Sequence, residues 1–334
     1  MKDGQSTPET VVITGASAGV GRATARLFAQ HGAHVGLLAR GNERLEATKK
    51  EVEDLGGQAL AIPTDVAFAD QVEAAAEQVE QAFGPIDVWV NNAMTSVFAQ
   101  FTEITPEEYR RVTDVVYHGQ VYGTMSALKR MLPRNHGSIV LVGSALAYRG
   151  IPLQSAYCGG KHAIEGMFDS IRTELLHNES AVRITMVQMP ALNTPQFDWV
   201  LSKLPHKAQP VPPIFQPEVA ADAIYYAAHH HQREILVGFP TVKAVLGNKL
   251  VPVYADHYLA EHGFKSQQTS EPEDSNRPSN LWESVPGDYE AHGRFDSRAR
   301  TFSPELWAAK NKHWLTLAGA GIASFAATLI ASRH

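Results

Sequence analysis

Short runs of branched and aliphatic residues alternate along most of the chain with longer stretches whose apolar positions recur at helical spacing. Val11-Val12-Ile13-Thr14 leads into a Gly-rich turn, after which the pattern predicts a helix over about residues 20–31. His34-Val35-Gly36-Leu37-Leu38 reads as a second strand, followed by a charged helix carrying Leu45 and Val52 on its apolar side. Ala59-Leu60-Ala61-Ile62, Ile86-Asp87-Val88-Trp89-Val90, Ser138-Ile139-Val140-Leu141-Val142, Val182-Arg183-Ile184-Thr185-Met186-Val187 and Glu234-Ile235-Leu236-Val237 supply five more strands. Strands alternating with helices of ten or more residues imply βαβ units and a parallel sheet. Right-handed crossovers then place helices on both of its faces. The expected fold class is α/β: a doubly wound parallel sheet of about seven strands, plus a C-terminal extension.

The texture changes after Gly263. Residues 265–304 are rich in Ser, Gln, Pro, Glu and Asp and poor in aliphatics, which predicts an extended or weakly ordered linker. The chain thus divides into a main domain over 1–264, a polar linker over 265–304 and a helical tail over 305–334. Residues 315–331 carry no charge, and Trp314 extends the run to a length of about 27 Å as a helix. Lys310 and Lys312 precede it, and Gly319, Ala323, Ala327 and Ala331 recur every four residues. Two readings stand: membrane contact through residues 314–332 with the main domain held on the cytoplasmic side, or a helix buried on its own domain or a partner subunit.

Composition narrows the function classes. Hydrophobic residues make up 44% and charged residues 19% of 334, which excludes a mainly disordered chain. Lys and Arg number 29 against 35 Asp and Glu, for a net charge of −6 and no long basic run, so a nucleic-acid partner is not expected. The polar first nine residues lack the apolar core of a secretory signal, and a cytoplasmic location is expected. Cys158, the single cysteine, excludes an internal disulfide. His229-His230-His231 points its rings in different directions along a helix, so no metal site is expected there.

Three features carry chemistry. The first is Thr14-Gly15-Ala16-Ser17-Ala18-Gly19-Val20-Gly21, between a strand and a helix. Gly15 lets the chain turn off the strand, Gly19 lets backbone approach a pyrophosphate, and Gly21 lets the helix pack close to the sheet. Free N–H groups at the helix start then bind phosphate oxygens. The second is the end of the second strand, where Ala39-Arg40 stands in place of the acidic residue that grips an NAD ribose. Arg40 can pair with a 2′-phosphate through its planar fork, so NADP(H) is expected over NAD(H). The third is Ser144 at the carboxyl end of the fifth strand, with Tyr157 and Lys161 one turn apart on a later helix. An ammonium beside a phenol lowers its pKa toward the working range, and Ser144 can hold a substrate oxygen while Tyr157 exchanges its proton.

Together these residues resemble the short-chain dehydrogenase/reductase family, in its Thr-Gly-x-x-x-Gly-x-Gly and Tyr-x-x-x-Lys branch, over residues 10–238. The resemblance implies a Rossmann-type fold with Ser144, Tyr157 and Lys161 as the catalytic set. It implies a dinucleotide held by Gly15, Ser17, Gly19, Val20, Gly21, Arg40, Asp65, Val66, Asn92, Ala93, Tyr157, Lys161, Pro190 and Thr194. Asp65 would contact adenine, Asn92 and Ala93 would line the cleft, and Pro190 and Thr194 would lie by the nicotinamide. Lys161 would hold the nicotinamide ribose. The implied reaction moves hydride between the nicotinamide and a carbonyl or secondary alcohol.

Three positions depart from the family pattern: Met94 and Ala191 replace glycines, and Val116 replaces an Asn that supports a water near the Lys. Valine cannot hydrogen-bond that water, which keeps a second reading open, a dinucleotide-binding sensor or scaffold with vestigial activity. Apolar residues between Pro195 and Pro217, among them Phe197, Trp199, Val211 and Phe215, form either the wall of a pocket for a bulky apolar substrate or a lid packed on its own core. Ile164, Met167, Phe168, Ile171 and Leu175 make a helical stripe that serves either the core or a homodimer of the kind the family resemblance implies.

Overall fold

The computed structural model describes residues 8–274 and 276–312. Seven parallel strands form the central sheet: β1 (Thr10–Thr14), β2 (His34–Ala39), β3 (Gln58–Pro63), β4 (Val88–Asn91), β5 (Ser138–Val142), β6 (Arg183–Gln188) and β7 (Glu234–Leu236). Their order is β7-β6-β5-β4-β1-β2-β3, with every neighbouring pair parallel. The winding reverses between β1 and β4, and the loops leaving those two strands part to open a crevice at their carboxyl ends.

Alternation along the strands feeds two cores. Val11, Ile13, Val35, Leu37, Val140 and Val187 face α1 (Gly19–Gln30) and α2 (Asn42–Asp54). Val12, Leu38, Trp89, Ile139, Leu141 and Met186 face the opposite layer, which contains α3 (Ala69–Phe83). In that second layer α4 (Pro106–Thr113) runs through a π-helical turn, Asp114–His118, into α5 (Gly119–Met131), beside the long helix α6 (Ser155–His177). Helix α7 (Pro217–His229) completes the first layer: Ala220, Ala223, Ile224 and Ala227 are fully buried in its core. Two further helices, α8 (Phe239–Leu250) and α9 (Pro252–Ser266), follow β7.

The segment expected to be a linker does not hang free. Gln268–Pro272 pairs antiparallel with His206–Ala208, and Ala299–Arg300 pairs in parallel with Ile214–Phe215. Leu281 and Ala291 are fully buried, and Val285 and Phe295 nearly so. The segment is poor in aliphatics because it needs few: single apolar residues drop into slots of a surface that is already folded. A short helix α10 (Pro304–Lys310) follows, capped by the Ser303 hydroxyl, and seats Leu306 in the first core. The folded unit therefore runs past residue 264 through α10. The uncharged run that carries the membrane expectation, residues 314–332, lies outside the described residues. Among the described residues no helix is long and apolar enough to cross a membrane.

The α6 stripe is mainly core. Ile164 and Phe168 are fully buried and Leu175 nearly so, while Met167 and Ile171 pack partly exposed against the same cluster.

Candidate active site

The crevice holds a cavity of about 540 Å³. Of the residues singled out from the sequence, Gly15, Ser17, Gly19, Val20, Arg40, Asp65, Val66, Asn92, Ala93, Ser144, Tyr157, Lys161, Pro190 and Thr194 all line it. Gly21 lies just behind: a Cβ there would stand 2.1 Å from the Gly15 carbonyl oxygen and 2.7 Å from Asn92 Nδ2. Gly15 itself has a φ of +67°, in the left-handed region that glycine adopts without strain. The Thr14 hydroxyl, which sequence reasoning had left without a role, ties the turn to β4. It donates to the Val90 carbonyl and accepts from the backbone N–H groups of Asn92 and Ala93. Asn92 Nδ2 donates back to the Thr14 carbonyl at 2.9 Å. The mouth of the switch point is thus held open by hydrogen bonds within a cradle that an extra methyl group would fill.

Arg40 lines the cavity, but the fork expected to pair with a phosphate is already engaged. Its guanidinium donates to the backbone carbonyls of Asn280, Leu281 and Trp282. Burial and the nearby Arg111 push its pKa below the ordinary arginine value. The reason is the packed 268–303 segment, which crosses this end of the crevice as a strap. Arg111 also donates to the Leu281 carbonyl and pairs with Asp65, whose other carboxylate oxygen accepts from Ala67 N–H. Farther along, Arg22 is clamped between Glu51 and Asp288, and Gly19 N–H donates to the Glu290 carbonyl at 3.1 Å. Burial works against the Arg22 charge, yet the two carboxylates outweigh it and hold the guanidinium above its ordinary value. Arg44, not singled out from the sequence, also lines the cavity. It is 6% exposed and stacks over Trp199 at 4.6 Å, and its Nη1 has no hydrogen-bond partner.

At the other end, Ser144 N–H donates to Gln188 Oε1 at 2.7 Å, and its hydroxyl accepts from Leu146 N–H. Gln188 Nε2 in turn donates to Glu165 and Glu234, the carboxylates that also receive the Tyr148 hydroxyl. Burial and the adjacent Glu234 raise the Glu165 pKa. This network fixes the strand end that presents Ser144, and its only sequence signal was Glu165 one turn beyond Lys161 on α6.

Lys161 is buried, and its Nζ donates to the Val142 carbonyl at 2.6 Å and lies 5.6 Å from the centre of the Tyr157 ring. Burial pushes its pKa down to about 7. Burial also pushes the Tyr157 phenol above its ordinary value, while contact with the Ser144 hydroxyl acts the other way. The expected lowering of the phenol by the ammonium is therefore not found: removal from water sets the direction, and burial destabilises the ammonium as well.

Val116 is fully buried on the π-helical turn, and a Cβ on Gly160 would meet its Cγ1 at 2.9 Å. Gly160 therefore lets α6 close onto that turn. Gln120, one turn beyond Val116, donates from Nε2 to the same Val142 carbonyl as Lys161, and its buried Oε1 has no partner. A polar group is thus present beside Lys161, contributed by a residue that sequence reasoning missed.

Phe197, Trp199 and Val211 line the cavity, while Phe197, Val200 and Leu204 also pack with Phe98, Leu153, Ile214 and Phe295. The segment after β6 is both wall and core. Cys158 is buried, and burial raises its thiol to about 11. No group of metal-ligating residues occurs among the described residues.

The chain is similar in sequence and fold to known proteins. The short chain dehydrogenase family matches residues 9–203. An uncharacterized oxidoreductase of Bacillus subtilis is 33% identical over 82% of this chain and 78% of its own length. The fatty acyl-CoA reductase of Acinetobacter baylyi is 31% identical over 66% of this chain and 72% of its own, and the 3-dehydrosphinganine reductase of Danio rerio 33% identical over 56% and 57%. Among solved structures, a metagenomic short-chain oxidoreductase in complex with NADP superimposes with a TM-score of 0.57 at 26% identity, over 68% of this chain and 95% of its own. An alcohol dehydrogenase from Thermococcus sibiricus complexed with 5-hydroxy-NADP gives 0.58 at 26% identity, over 69% and 95%.

Proposed function

The chain belongs to the short-chain dehydrogenase family, and on that premise we propose that it is an NADP(H)-dependent oxidoreductase acting on the carbonyl or secondary alcohol of a bulky apolar substrate. The observation that carries the reading is the convergence of Ser144, Tyr157 and Lys161 on one cavity with the glycine turn at its other end. The residues present fit a dinucleotide: the Gly15–Gly21 cradle leaves no room for a Cβ, and the first turn of α1 presents backbone donors for phosphate, of which Gly19 N–H would have to exchange the Glu290 carbonyl for it. When bound, the nicotinamide supplies or accepts the hydride.

The chain's own groups do the rest. Ser144 orients the substrate oxygen by a hydrogen bond from its hydroxyl. Tyr157, kept protonated by burial, gives its proton to the oxygen as the carbonyl is reduced, and takes it back in the reverse direction. Lys161 holds the ribose and replenishes the phenol; an ammonium with a pKa near 7 gives up its proton readily at neutral pH. Gln120 Oε1 offers the acceptor that Val116 lacks.

NADP(H) is favoured over NAD(H) because β2 ends in Ala39 with no carboxylate to repel a 2′-phosphate, and because the unpartnered Arg44 Nη1 offers charge-assisted donation at the cavity wall. Phe197, Trp199, Ile151 and Leu259 provide the apolar lining, and the names of two relatives, a fatty acyl-CoA reductase and a 3-dehydrosphinganine reductase, support a lipid-like substrate class.

The buried Val116 favours one competing reading, a dinucleotide-binding sensor with vestigial activity. A carbonyl and alcohol panel with both nicotinamide cofactors, followed by nicotinamide absorbance, decides between them. Turnover that prefers NADP(H) and is lost in Tyr157→Phe supports the enzyme. Cofactor-induced thermal protection with no turnover on any substrate supports the sensor.

A further inference from the structure

The strap spans the crevice from wall to wall. Asn280 donates its N–H to the Trp199 carbonyl after β6 at 2.8 Å, while its own carbonyl accepts from Arg40 at the end of β2. The Tyr289 ring packs edge-on against Trp199 with centroids 4.8 Å apart, and Arg44 of α2 lies over both rings. The Glu290 carbonyl accepts from Gly19 N–H at 3.1 Å. Gly293 donates its N–H to the Asn193 carbonyl, and a Cβ on it would stand 2.5 Å from the Thr194 carbonyl oxygen. One stretch of chain thus follows the line a dinucleotide would take, from Arg40 past Gly19 to Thr194. A pyrophosphate that takes the Gly19 N–H must displace the Glu290 carbonyl, so binding requires the strap to move.

Anchors outside the cavity lining set how readily it moves. Asp288 pairs with the buried Arg22 guanidinium. Farther along, His292 sits between two carboxylates. Its Nδ1 is 2.7 Å from Asp296 Oδ1 on the strap, and its Nε2 is 2.9 and 3.0 Å from the oxygens of Glu218 in the first turn of α7. Only an imidazolium carries a proton on both nitrogens, so only the protonated ring donates to both partners. Burial works against that charge, yet Glu218 and Asp296 outweigh it and hold the His292 pKa above its ordinary value. These two are the charged groups that face the ring; α1, packed on the adjacent Ala291, brings only Ala23 and Leu27 to that contact. Asp296 also accepts from Asn193 Nδ2 at 2.8 Å and Gln216 Nε2 at 2.9 Å, which joins this anchor to the residue before Thr194.

We propose that residues 280–296 are a gate over the dinucleotide site, which opens to admit and release nucleotide and is steadied in its closed position by protonated His292. The gate regulates the site of the proposed function and rests on its nucleotide binding, not on its substrate class or turnover. A group whose pKa is raised by folding contributes fully below its free value, and the contribution is lost as pH rises through the folded value. The gate is therefore firmest in mild acid, and nucleotide exchange quickens as His292 loses its proton.

The direct test locks the gate. A Cβ on Gly41 would stand 3.2 Å from the Ser284 Cβ, close to the separation a disulfide spans, and Gly41 has a φ of −86°, open to any residue. The full chain carrying Gly41→Cys and Ser284→Cys is followed by stopped-flow nicotinamide fluorescence, Cys158 being buried. Oxidised, it should bind and release NADPH about tenfold or more slowly than the same protein after reduction. Asp288→Asn, without any lock, should raise both the association and the release rate. In the parent, release should quicken by about 2–5-fold between about pH 6 and pH 8, the worth of an exposed ion pair, and His292→Gln should be fast and flat over that range. Equal rates in the oxidised and reduced forms, or unchanged rates in Asp288→Asn, overturn the gate while nucleotide binding stands. The same pH profile in the parent and in His292→Gln overturns the role of His292. A parent chain that binds no NADPH overturns the dinucleotide reading and the gate with it.

Discussion

Arg40 and Arg44 are four residues apart and line the same cavity, yet the structure gives them different work. Arg40 ties down the strap through three carbonyls; Arg44 keeps a guanidinium nitrogen without a partner. Replacing Arg40 by Ala leaves the Leu281 carbonyl with Arg111 as donor, and the carbonyl of Trp282, a half-exposed residue, should gain water. Only the bond to the Asn280 carbonyl is lost without an evident substitute. A hydrogen bond from a charged donor contributes about 1.5–3 kcal/mol, and the cost of burying the Arg40 charge offsets part of it. A net local loss of about 1–2 kcal/mol corresponds to a rise of about 5–30-fold in strap opening.

Hydrogen exchange reads this directly at Asn280, whose N–H donates to the Trp199 carbonyl at 2.8 Å. Exchange there should accelerate by that factor in Arg40→Ala, and NADPH and NADH affinities should weaken together because the strap borders the cavity for both. Arg44→Ala should instead weaken NADPH by about 10–100-fold, the value of one charge-assisted contact, and NADH by only a few-fold. The reasoning is refuted if Arg40→Ala leaves exchange unchanged and weakens NADPH alone, or if Arg44→Ala lowers both affinities equally.

Tyr157→Phe should leave cofactor affinity intact and lower turnover by roughly 10²-fold or more in steady-state assays, since it removes only the transferable proton. Gly160→Ala puts a methyl group 2.9 Å from Val116 Cγ1 and should destabilise by about 1–3 kcal/mol in denaturant titration. In a Val116→Ala background the 2.9 Å contact goes and only the 3.2 Å approach to the Cβ of residue 116 remains, so the same change should cost clearly less than in the parent. Lys161 supplies a pH test. Its folded pKa is lowered to about 7 from an unfolded value near 10.5, so between those limits the unfolded chain binds the extra proton and stability rises with pH. Without added nucleotide, that rise above pH 7 should flatten in Lys161→Met, measured by melting temperature; an unchanged slope would show that Lys161 is not the group responsible.

Much of this molecule is written in local pattern. Branched runs such as Val11-Val12-Ile13 and Ile139-Val140-Leu141 alternate between two cores because a strand turns successive side chains to opposite faces, and each became a sheet strand. The glycine turn is legible because chain direction and steric room at Gly15 and Gly21 depend on residues only a few positions apart, and Tyr157 and Lys161 share a face because helical geometry fixes a four-residue spacing. What the tertiary structure decided involves partners far apart in sequence. Arg40 was readable as a cation beside a cofactor cleft, but its ligands are backbone carbonyls about 240 residues later, which no side-chain pattern announces. The polar segment 265–304 looked unstructured because its anchors, Leu281, Ala291 and Phe295, are isolated, and an isolated apolar residue signals burial only once the slot that receives it exists. The Tyr157 phenol shows the same division: its place beside Lys161 follows from spacing, while the direction of its pKa is set by how much water the folded walls exclude.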